Sequence, residues 1–150
     1  MACRMPTMAT EVPIPLAIII ADEVYQDRST GKWVISGVFN QILGDSLPVI
    51  QDKMVIFWQA TGIGDPVDLR LRIEHSDSGE PVFEVRGPIK AQSPLQVKAI
   101  PVRIRGIQFD REGKHWIQLL SGEEILIQAP LQITLTEQEP AEERTERESP

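Results

Sequence analysis

With 150 residues, one cysteine and a formal charge of −7, the sequence predicts one domain that needs no disulfide, and the single Cys3 indicates a cytoplasmic location. Residues 137–150 hold six glutamates and two arginines, or −4 of that charge, so the remainder is too near neutral to predict nucleic-acid binding. No apolar run approaches the ~20 residues of a membrane helix or the ~7–15 of a secretory leader, and neither is predicted.

The two ends of the sequence differ in composition from its middle. Residues 1–13 have no clear periodicity, and we predict a flexible N-terminal tail there. Residues 137–150 lack aromatic and branched aliphatic side chains, so they cannot bury enough apolar surface to offset the entropy of ordering. We therefore predict a disordered acidic tail at 137–150 and a folded domain at 14–136.

The first predicted element is a long β-hairpin. An apolar run at 16–21 leads into Asp22 and Glu23, a polar turn follows at 26–31, and a second strand returns over 32–39. Both arms are rich in β-branched and aromatic residues, which favour strands. Gly37 within the second arm predicts a bulge or a close approach of backbones. Residues 40–51 have the composition of a loop.

The middle and end of the chain predict further strands. The apolar run at 54–58 is typical of a central strand, and residues 67–75 alternate between apolar and polar side chains, as a strand with one buried face does. Glycine-containing turns at 76–79 and 110–114 separate strands at 80–86, 96–109, 115–120 and 124–135. Pro101 predicts an edge strand or a kink, and Pro130 predicts a bulge or a switch between sheets.

These elements predict an all-β fold, since about eight strands alternate with turns and no helical periodicity is present. An antiparallel β-sandwich is the predicted architecture, and a closed β-barrel is the alternative. The inward-facing positions should form the core: Ile18, Ile20, Val34, Phe57, Leu71, Val85, Ile104, Leu119 and Ile133.

Three segments resemble a known family. They are Asp22-Glu23-Val24 with the returning strand at 35–40, the Asp77-Ser78-Gly79 turn, and the stretch from Gly113 to Leu131. In this order they resemble an uncharacterised bacterial family, a domain of unknown function, over residues 16–135. The resemblance implies a one-domain bacterial β protein and implies no reaction, cofactor or partner. Asn40 stands where an acidic residue often occurs in the family pattern.

The sequence offers little for catalysis or metal binding. A hydrolytic triad needs a histidine base, and the two available, His75 and His115, each stand beside a turn. A structural zinc site needs about four Cys or His ligands, more than this chain contains. We predict no catalytic residues, no metal ligands and no cofactor. A calcium site is kept as an alternative, formed by four loop aspartates: Asp45, Asp52, Asp65 and Asp77.

Four residues are candidates for ligand binding: Asp22, Glu23, Trp33 and Trp116. Asp22 and Glu23 interrupt an apolar strand, and a carboxylate turned inward there would need a partner. The simpler interpretation is that both lie at a solvated strand end. Trp33 and Trp116 lie beside turns, where an indole ring provides a flat apolar surface for a ligand.

Arginines on two alternating strands provide a further candidate surface. Arg70 and Arg72 lie on the polar face of one strand, and Arg103 and Arg105 on that of another. If the two strands were neighbours, a basic stripe would result. The nearby acidic residues favour a mixed-charge, solvated face instead.

The predicted function follows from abundant strand edges and the lack of a catalytic arrangement. We predict a non-enzymatic module for macromolecular interaction or assembly, which binds protein or self-associates through strand edges. One alternative is a small-ligand binder or hydrolase with a pocket near Asp22, Glu23 and one histidine. The other is calcium-dependent recognition.

Overall fold

The structure, a computed structural model, describes residues 12–136. The predicted tails, apart from Val12 and Pro13, lie outside the described residues. Nine strands form the described chain: β1 (Ile14–Gln26), β2 (Trp33–Val38), β3 (Gln41–Gly44), β4 (Val49–Thr61), β5 (Val67–His75), β6 (Pro81–Ile89), β7 (Lys98–Phe109), β8 (Gly113–Ser121) and β9 (Glu124–Leu135).

The strands form two sheets that pack face to face. The four-stranded sheet has the order β2-β1-β4-β7, and the five-stranded sheet has the order β3-β9-β8-β5-β6. Each sheet keeps two edge strands, so the predicted β-sandwich is confirmed over the closed barrel. Between residues 12 and 136 the structure has no helix of the length and apolar character needed to cross a membrane.

The core lies between the two sheets and is made mainly of isoleucine. Ile20 and Ile56 come from the four-stranded sheet, and Ile73, Ile117 and Ile133 from the five-stranded one. Ile73 lies opposite Ile117 across β5 and β8, and both are fully buried. Burying one such side chain contributes about 1.5–3 kcal/mol, so these alternating strands hold the sandwich together.

Part of the predicted loop at 40–51 is strand. Gln41–Gly44 forms the edge strand β3, which pairs in parallel with β9, so the sandwich is not wholly antiparallel. Ile42 lies opposite Ile133 and is buried. The segment is a strand only because it pairs with the distant strand β9. No local pattern in residues 41–44 predicted a strand there.

The expected break at Pro130 is wrong. β9 continues through Pro130, and the irregularity of its pairing with β8 lies between Leu119 and Leu120 instead. β3 pairs only with residues 132–135, so β9 has no strand on that flank at Pro130. A proline is tolerated in a strand where its missing N–H faces no partner strand. Pro101, by contrast, lies on the edge strand β7, as predicted.

Four predicted core residues lie outside the main core, among them Val34, which is half-buried, and Leu119, which is buried in a cluster with Trp58 and Leu69. Val85 is 42 % exposed, because β6 is an edge strand and the sheet ends beside it. Phe57 is buried, but in a second apolar cluster away from the main core. That second cluster lies beside the candidate site.

Candidate binding cleft

A second apolar cluster covers the outer face of the four-stranded sheet. We call it the outer cluster: buried Ala21, Val24, Val55 and Phe57, with Trp33, Ile35 and Ala99 packed against them. The Trp33 and Phe57 ring centroids are 5.4 Å apart, in a tilted arrangement. Because Met54 and Ile56 face the main core while Val55 and Phe57 face the outer cluster, β4 is apolar on both sides. The apolar run predicted as a central strand is explained by this double burial.

The side-chain alternation of β1 shifts at Asp22 and Glu23. Ala21 and Val24 both belong to the outer cluster although they are three residues apart, and the two acidic residues between them are exposed. Gly37 of β2 has a φ of 73°, and a Cβ on it would lie 2.4 Å from Oδ2 of Asp22. Glycine is therefore required here because the side chain of Asp22 lies against the backbone of β2, whereas the sequence predicted a bulge or a close approach of backbones.

A cleft of about 280 Å³ opens beside the outer cluster, across the neighbouring strands β1, β4 and β7. Its volume is close to the lower limit of roughly 300 Å³ for ligand pockets. The cleft is lined by Asp22, Glu23, Val24, Tyr25, Lys53, Val55, Arg103 and Arg105.

Three cations come together in this cleft. Strand register places Lys53 opposite Arg105, and Val55 opposite Arg103. Nζ of Lys53 lies 3.1 Å from Oε1 of Glu23. Nη2 of Arg103 donates a hydrogen bond of 2.8 Å to the carbonyl oxygen of Val24, which orients its guanidinium. Within residues 12–136, neither arginine of the cleft has a carboxylate oxygen within 4.0 Å.

The structure brings three of the four predicted ligand-binding candidates to one face of the molecule. Asp22 and Glu23 line the cleft, and Trp33 belongs to the adjoining outer cluster. Trp116 is separate: it lies on β8 of the five-stranded sheet, with Nζ of Lys114 4.8 Å from its ring centroid. No pattern in the sequence indicated Lys53, whose place in the cleft depends on strand register.

The four arginines do not form a single stripe. Arg70 and Arg72 lie on β5 of the five-stranded sheet, whereas the cleft arginines lie on β7 of the other sheet. Arg70 is 3.6 Å from a carboxylate oxygen of Glu84, and Arg72 is 3.4 Å from one of Glu74. The β5 arginines are thus paired within a mixed-charge face, whereas the cleft arginines have no carboxylate oxygen within 4.0 Å in residues 12–136, although Asp22 and Glu23 also line the cleft.

The two histidines lie outside the cleft and opposite each other on β5 and β8. Their ring centroids are 5.1 Å apart. Nδ1 of His75 is 2.9 Å from the hydroxyl oxygen of Ser78, and its Nε2 is 3.2 Å from the carbonyl oxygen of Glu112, so this ring connects two turns. The predicted hydrolase pocket of Asp22, Glu23 and one histidine is therefore not assembled.

The four aspartates of the calcium alternative lie on separate segments. Asp45, for example, accepts a 3.2 Å hydrogen bond from the hydroxyl of Thr136. Over residues 12–136 the structure contains no group of three or more His, Cys, Asp or Glu side chains able to hold a metal ion. The four aspartates therefore form no such group in the described part of the chain.

Comparison with known proteins identifies the family of the chain but indicates no function for it. A model described as a family of unknown function, DUF6941, matches residues 16–134. No curated protein matches. An immunoglobulin-like protein from Pseudomonas aeruginosa is 14 % identical, with a TM-score of 0.41, over 82 % of this chain and 96 % of that one. A β-glucosidase from Listeria innocua in complex with isofagomine is 9 % identical, with a TM-score of 0.39. The match covers 66 % of this chain and 15 % of the β-glucosidase chain. Both likenesses are too distant to indicate an activity.

Proposed function

The chain belongs to DUF6941, a family of unknown function, and we propose that it is a non-enzymatic protein-binding module. Its site is the cleft on the outer face of the four-stranded sheet. The partner is an acidic protein segment that also carries an aromatic or large apolar side chain.

The cleft arginines are the observation that supports this proposal. Lys53 and Arg105 are directly opposite each other, and like charges in that position destabilise a sheet. The carboxylate of Glu23 offsets part of this repulsion at Lys53, while Arg103 and Arg105 have no carboxylate partner within the described chain. Arginine guanidinium groups form paired, charge-assisted hydrogen bonds with carboxylates. An acidic partner would therefore relieve the repulsion and use both groups.

The aromatic residues beside the arginines support the second requirement on the partner. Tyr25 lines the cleft and is 51 % exposed, and the half-buried Trp33 lies over Phe57 next to it. Tyrosine, tryptophan and arginine are the residue types that dominate the binding energy of protein interfaces. An apolar side chain of the partner would bury against this aromatic surface while its carboxylates bind the arginines.

A synthetic peptide tests the proposal. The probe is a short glutamate-rich peptide with one central tryptophan, titrated into the full chain by calorimetry. Two control peptides replace either all glutamates by glutamine or the tryptophan by alanine. We expect the first control to bind at least about tenfold more weakly, since each charge-assisted hydrogen bond contributes about 1.5–3 kcal/mol. Equal binding of the glutamine peptide would overturn the proposal.

Protein variants locate the binding. The double variant Arg103→Gln/Arg105→Gln removes both cleft arginines, and Arg86→Gln is the matched control. Arg86 is an exposed arginine of the other sheet that pairs with Asp68. We expect the double variant to lose the peptide and the control to keep it. In affinity capture from the source organism, the partner should likewise be lost only with the double variant.

The small-ligand alternative uses the same cleft, whose volume of about 280 Å³ would hold a small anion. Glutarate, a free dicarboxylate, is the probe that distinguishes the two. If glutarate binds as tightly as the peptide, the ligand is a small anion. If it binds far more weakly, the partner's chain supplies the affinity.

A groove between β6 and β7 favours a second candidate, strand addition. Both are edge strands and lie in different sheets. Trp58, Leu69 and Leu119 of the core line the groove, and the exposed Val85 forms part of its rim. An extended apolar segment from a second copy would cover these side chains and pair with a free strand edge.

Light scattering across protein concentrations tests strand addition. We expect association that Val85→Lys abolishes, because a charge at the rim opposes burial. The matched control is Ile125→Lys, since Ile125 is 43 % exposed, similar to Val85, but lies on β9. A wild-type protein that stays monomeric at every concentration would contradict this candidate.

A further inference from the structure

We infer that residues 137–150 of this chain bind in the cleft as an internal competitor of its partner. The inference rests on the proposed function of the cleft and adds its regulation. It depends on where the described chain ends, on the length of the following segment and on the charges of both.

The described chain ends at the edge of the five-stranded sheet, close to the start of β4 in the other sheet. The backbone N–H of Thr136 donates a 2.8 Å hydrogen bond to the carbonyl oxygen of Gly44. Gly44 lies directly against Val49, since a Cβ on the glycine would be 2.6 Å from Cγ2 of Val49. Val49 is the first residue of β4 and pairs with Phe109, the last residue of β7. Thr136, the last described residue, therefore lies near one end of the β4–β7 pair.

The cleft is within reach of that position. Lys53 and Arg105 face each other four residues along β4 and β7 from the end of the pair, or about 13 Å at 3.3 Å per residue. The segment 137–150 spans up to roughly 46 Å when fully extended. This length is sufficient to pass around the end of the sheet and cross the cleft on its outer face.

The charges of the segment and the cleft are complementary. The segment carries six glutamates: Glu137, Glu139, Glu142, Glu143, Glu146 and Glu148. Four arginines elsewhere are already paired with carboxylates: Arg70, Arg72, Arg86 and Arg111. The cleft arginines have no carboxylate oxygen within 4.0 Å in residues 12–136, and with Lys53 they set three cations against the carboxylates of Asp22 and Glu23, so the cleft keeps a net positive charge that attracts the segment. Because the segment is covalently attached, its effective concentration at the cleft is of millimolar order, so an intrinsic dissociation constant of about 1 mM is sufficient to fill about half of the clefts.

The composition of the segment makes it a competitor that a true partner can displace. It has no aromatic and no large aliphatic side chain, so it satisfies the arginines but leaves Tyr25 and the outer cluster uncovered. A partner with both carboxylates and an apolar anchor would bind more tightly. The segment would thus exclude partners that bind by charge alone.

A spin label on the full-length protein tests the inference. Ser149→Cys in a Cys3→Ser background carries the label, and amide signals are recorded by NMR. We expect selective broadening of the Lys53 and Arg105 amides at low salt. The broadening should be lost at about 0.5 M salt, where charges are screened beyond about 4 Å. It should also be lost in Arg103→Gln/Arg105→Gln and persist in Arg86→Gln. Mixing labelled protein with ¹⁵N protein that lacks the label checks that the contact is intramolecular.

A contact that is absent at low salt, or unchanged in the double variant, would overturn the inference. A variant with all six glutamates replaced by glutamine separates this failure from that of the proposed function. We expect it to bind the glutamate–tryptophan peptide several-fold more tightly than the wild type. If the peptide binds both forms equally and no broadening occurs, only the inference fails. If broadening occurs but the peptide never binds, the proposed function fails.

Discussion

Lys53 and Arg105 lie directly opposite each other on β4 and β7, with Glu23 3.1 Å from the lysine. Two like charges in that position repel; Arg105 is exposed and Lys53 is half-buried. We expect Arg105→Gln to raise the free energy of unfolding by about 0.5 kcal/mol at low salt. The gain should disappear at about 0.5 M salt, because screening removes the repulsion. Urea denaturation at the two salt concentrations measures both effects.

The matched control for this prediction is Arg86→Gln. Arg86 pairs with Asp68, so its loss removes an attraction and should leave stability unchanged or slightly lower. If Arg105→Gln is less stable than the wild type at low salt, the favourable contacts of the arginine outweigh its repulsion from Lys53.

The approach of Gly37 to Asp22 leads to a second prediction. Gly37→Ala introduces a methyl group 2.4 Å from Oδ2 of Asp22, at a φ of 73° that side chains rarely adopt. We expect a loss of about 2–4 kcal/mol in the free energy of unfolding, which combines backbone strain with the displacement of Asp22. Chemical denaturation of the purified variant measures the loss.

Gly31→Ala separates the two contributions. Gly31 has a φ of 74°, almost the same as Gly37, but no atom lies within 4 Å of the added Cβ. This variant should therefore show the backbone strain alone, about 1–2 kcal/mol. Equal losses at both glycines would mean that Asp22 moves aside at no cost.

The core provides a third prediction. Ile117 is fully buried between the sheets and lies opposite Ile73, whereas Ile125 on the next strand is 43 % exposed. We expect Ile117→Ala to lower the free energy of unfolding by about 2–5 kcal/mol, because it leaves a cavity. Ile125→Ala should cost less than about 1 kcal/mol, since a solvated site leaves none. Similar losses from the two substitutions in urea denaturation would contradict the assigned core.

Elements defined by local pattern were predicted well. The alternation at Val67–His75 identified β5 and its buried face, because a period of two specifies one face directly. The apolar run at 54–58 predicted a central strand, and it lies in β4 between β1 and β7. Gly37 was singled out as a position that needs glycine, and it is one, although the group that lies against it is the side chain of Asp22 and not a neighbouring backbone. Each of these signals lies within a few residues of sequence.

Features that depend on pairing between distant segments were not predictable. β3 is a strand only because it pairs with residues 132–135, and nothing in Gln41–Gly44 itself specifies that contact. The cleft depends on the registers of β1, β4 and β7, which bring Glu23, Lys53 and Arg105 together. Asp22 and Glu23 were singled out because they interrupt an apolar run. Lys53 could not be singled out in the same way, because a lysine on a strand does not indicate a binding site until the neighbouring strands are known.

The last prediction concerns His115, which is completely buried beside His75 and Phe109. Its Nδ1 is 3.1 Å from the carbonyl oxygen of Gly113, and its Nε2 has no hydrogen-bond partner within residues 12–136. Burial lowers the pKa of His115, and the neighbouring His75 acts in the same direction. Folding therefore favours the neutral form of the ring.

We expect the free energy of unfolding to fall as the pH drops below about 6.5, because the unfolded chain then binds a proton that folded His115 resists. The slope from this one site is at most about 1.4 kcal/mol per pH unit. Denaturation between pH 5 and 7.5 measures this slope. Asp27 does not contribute to it, because hydrogen bonds from Ser29 and Thr30 lower the pKa of Asp27 and its carboxylate titrates below this range. His115→Gln should flatten the slope, and His75→Gln should retain the part due to His115. A slope unchanged by His115→Gln would show that another group is responsible.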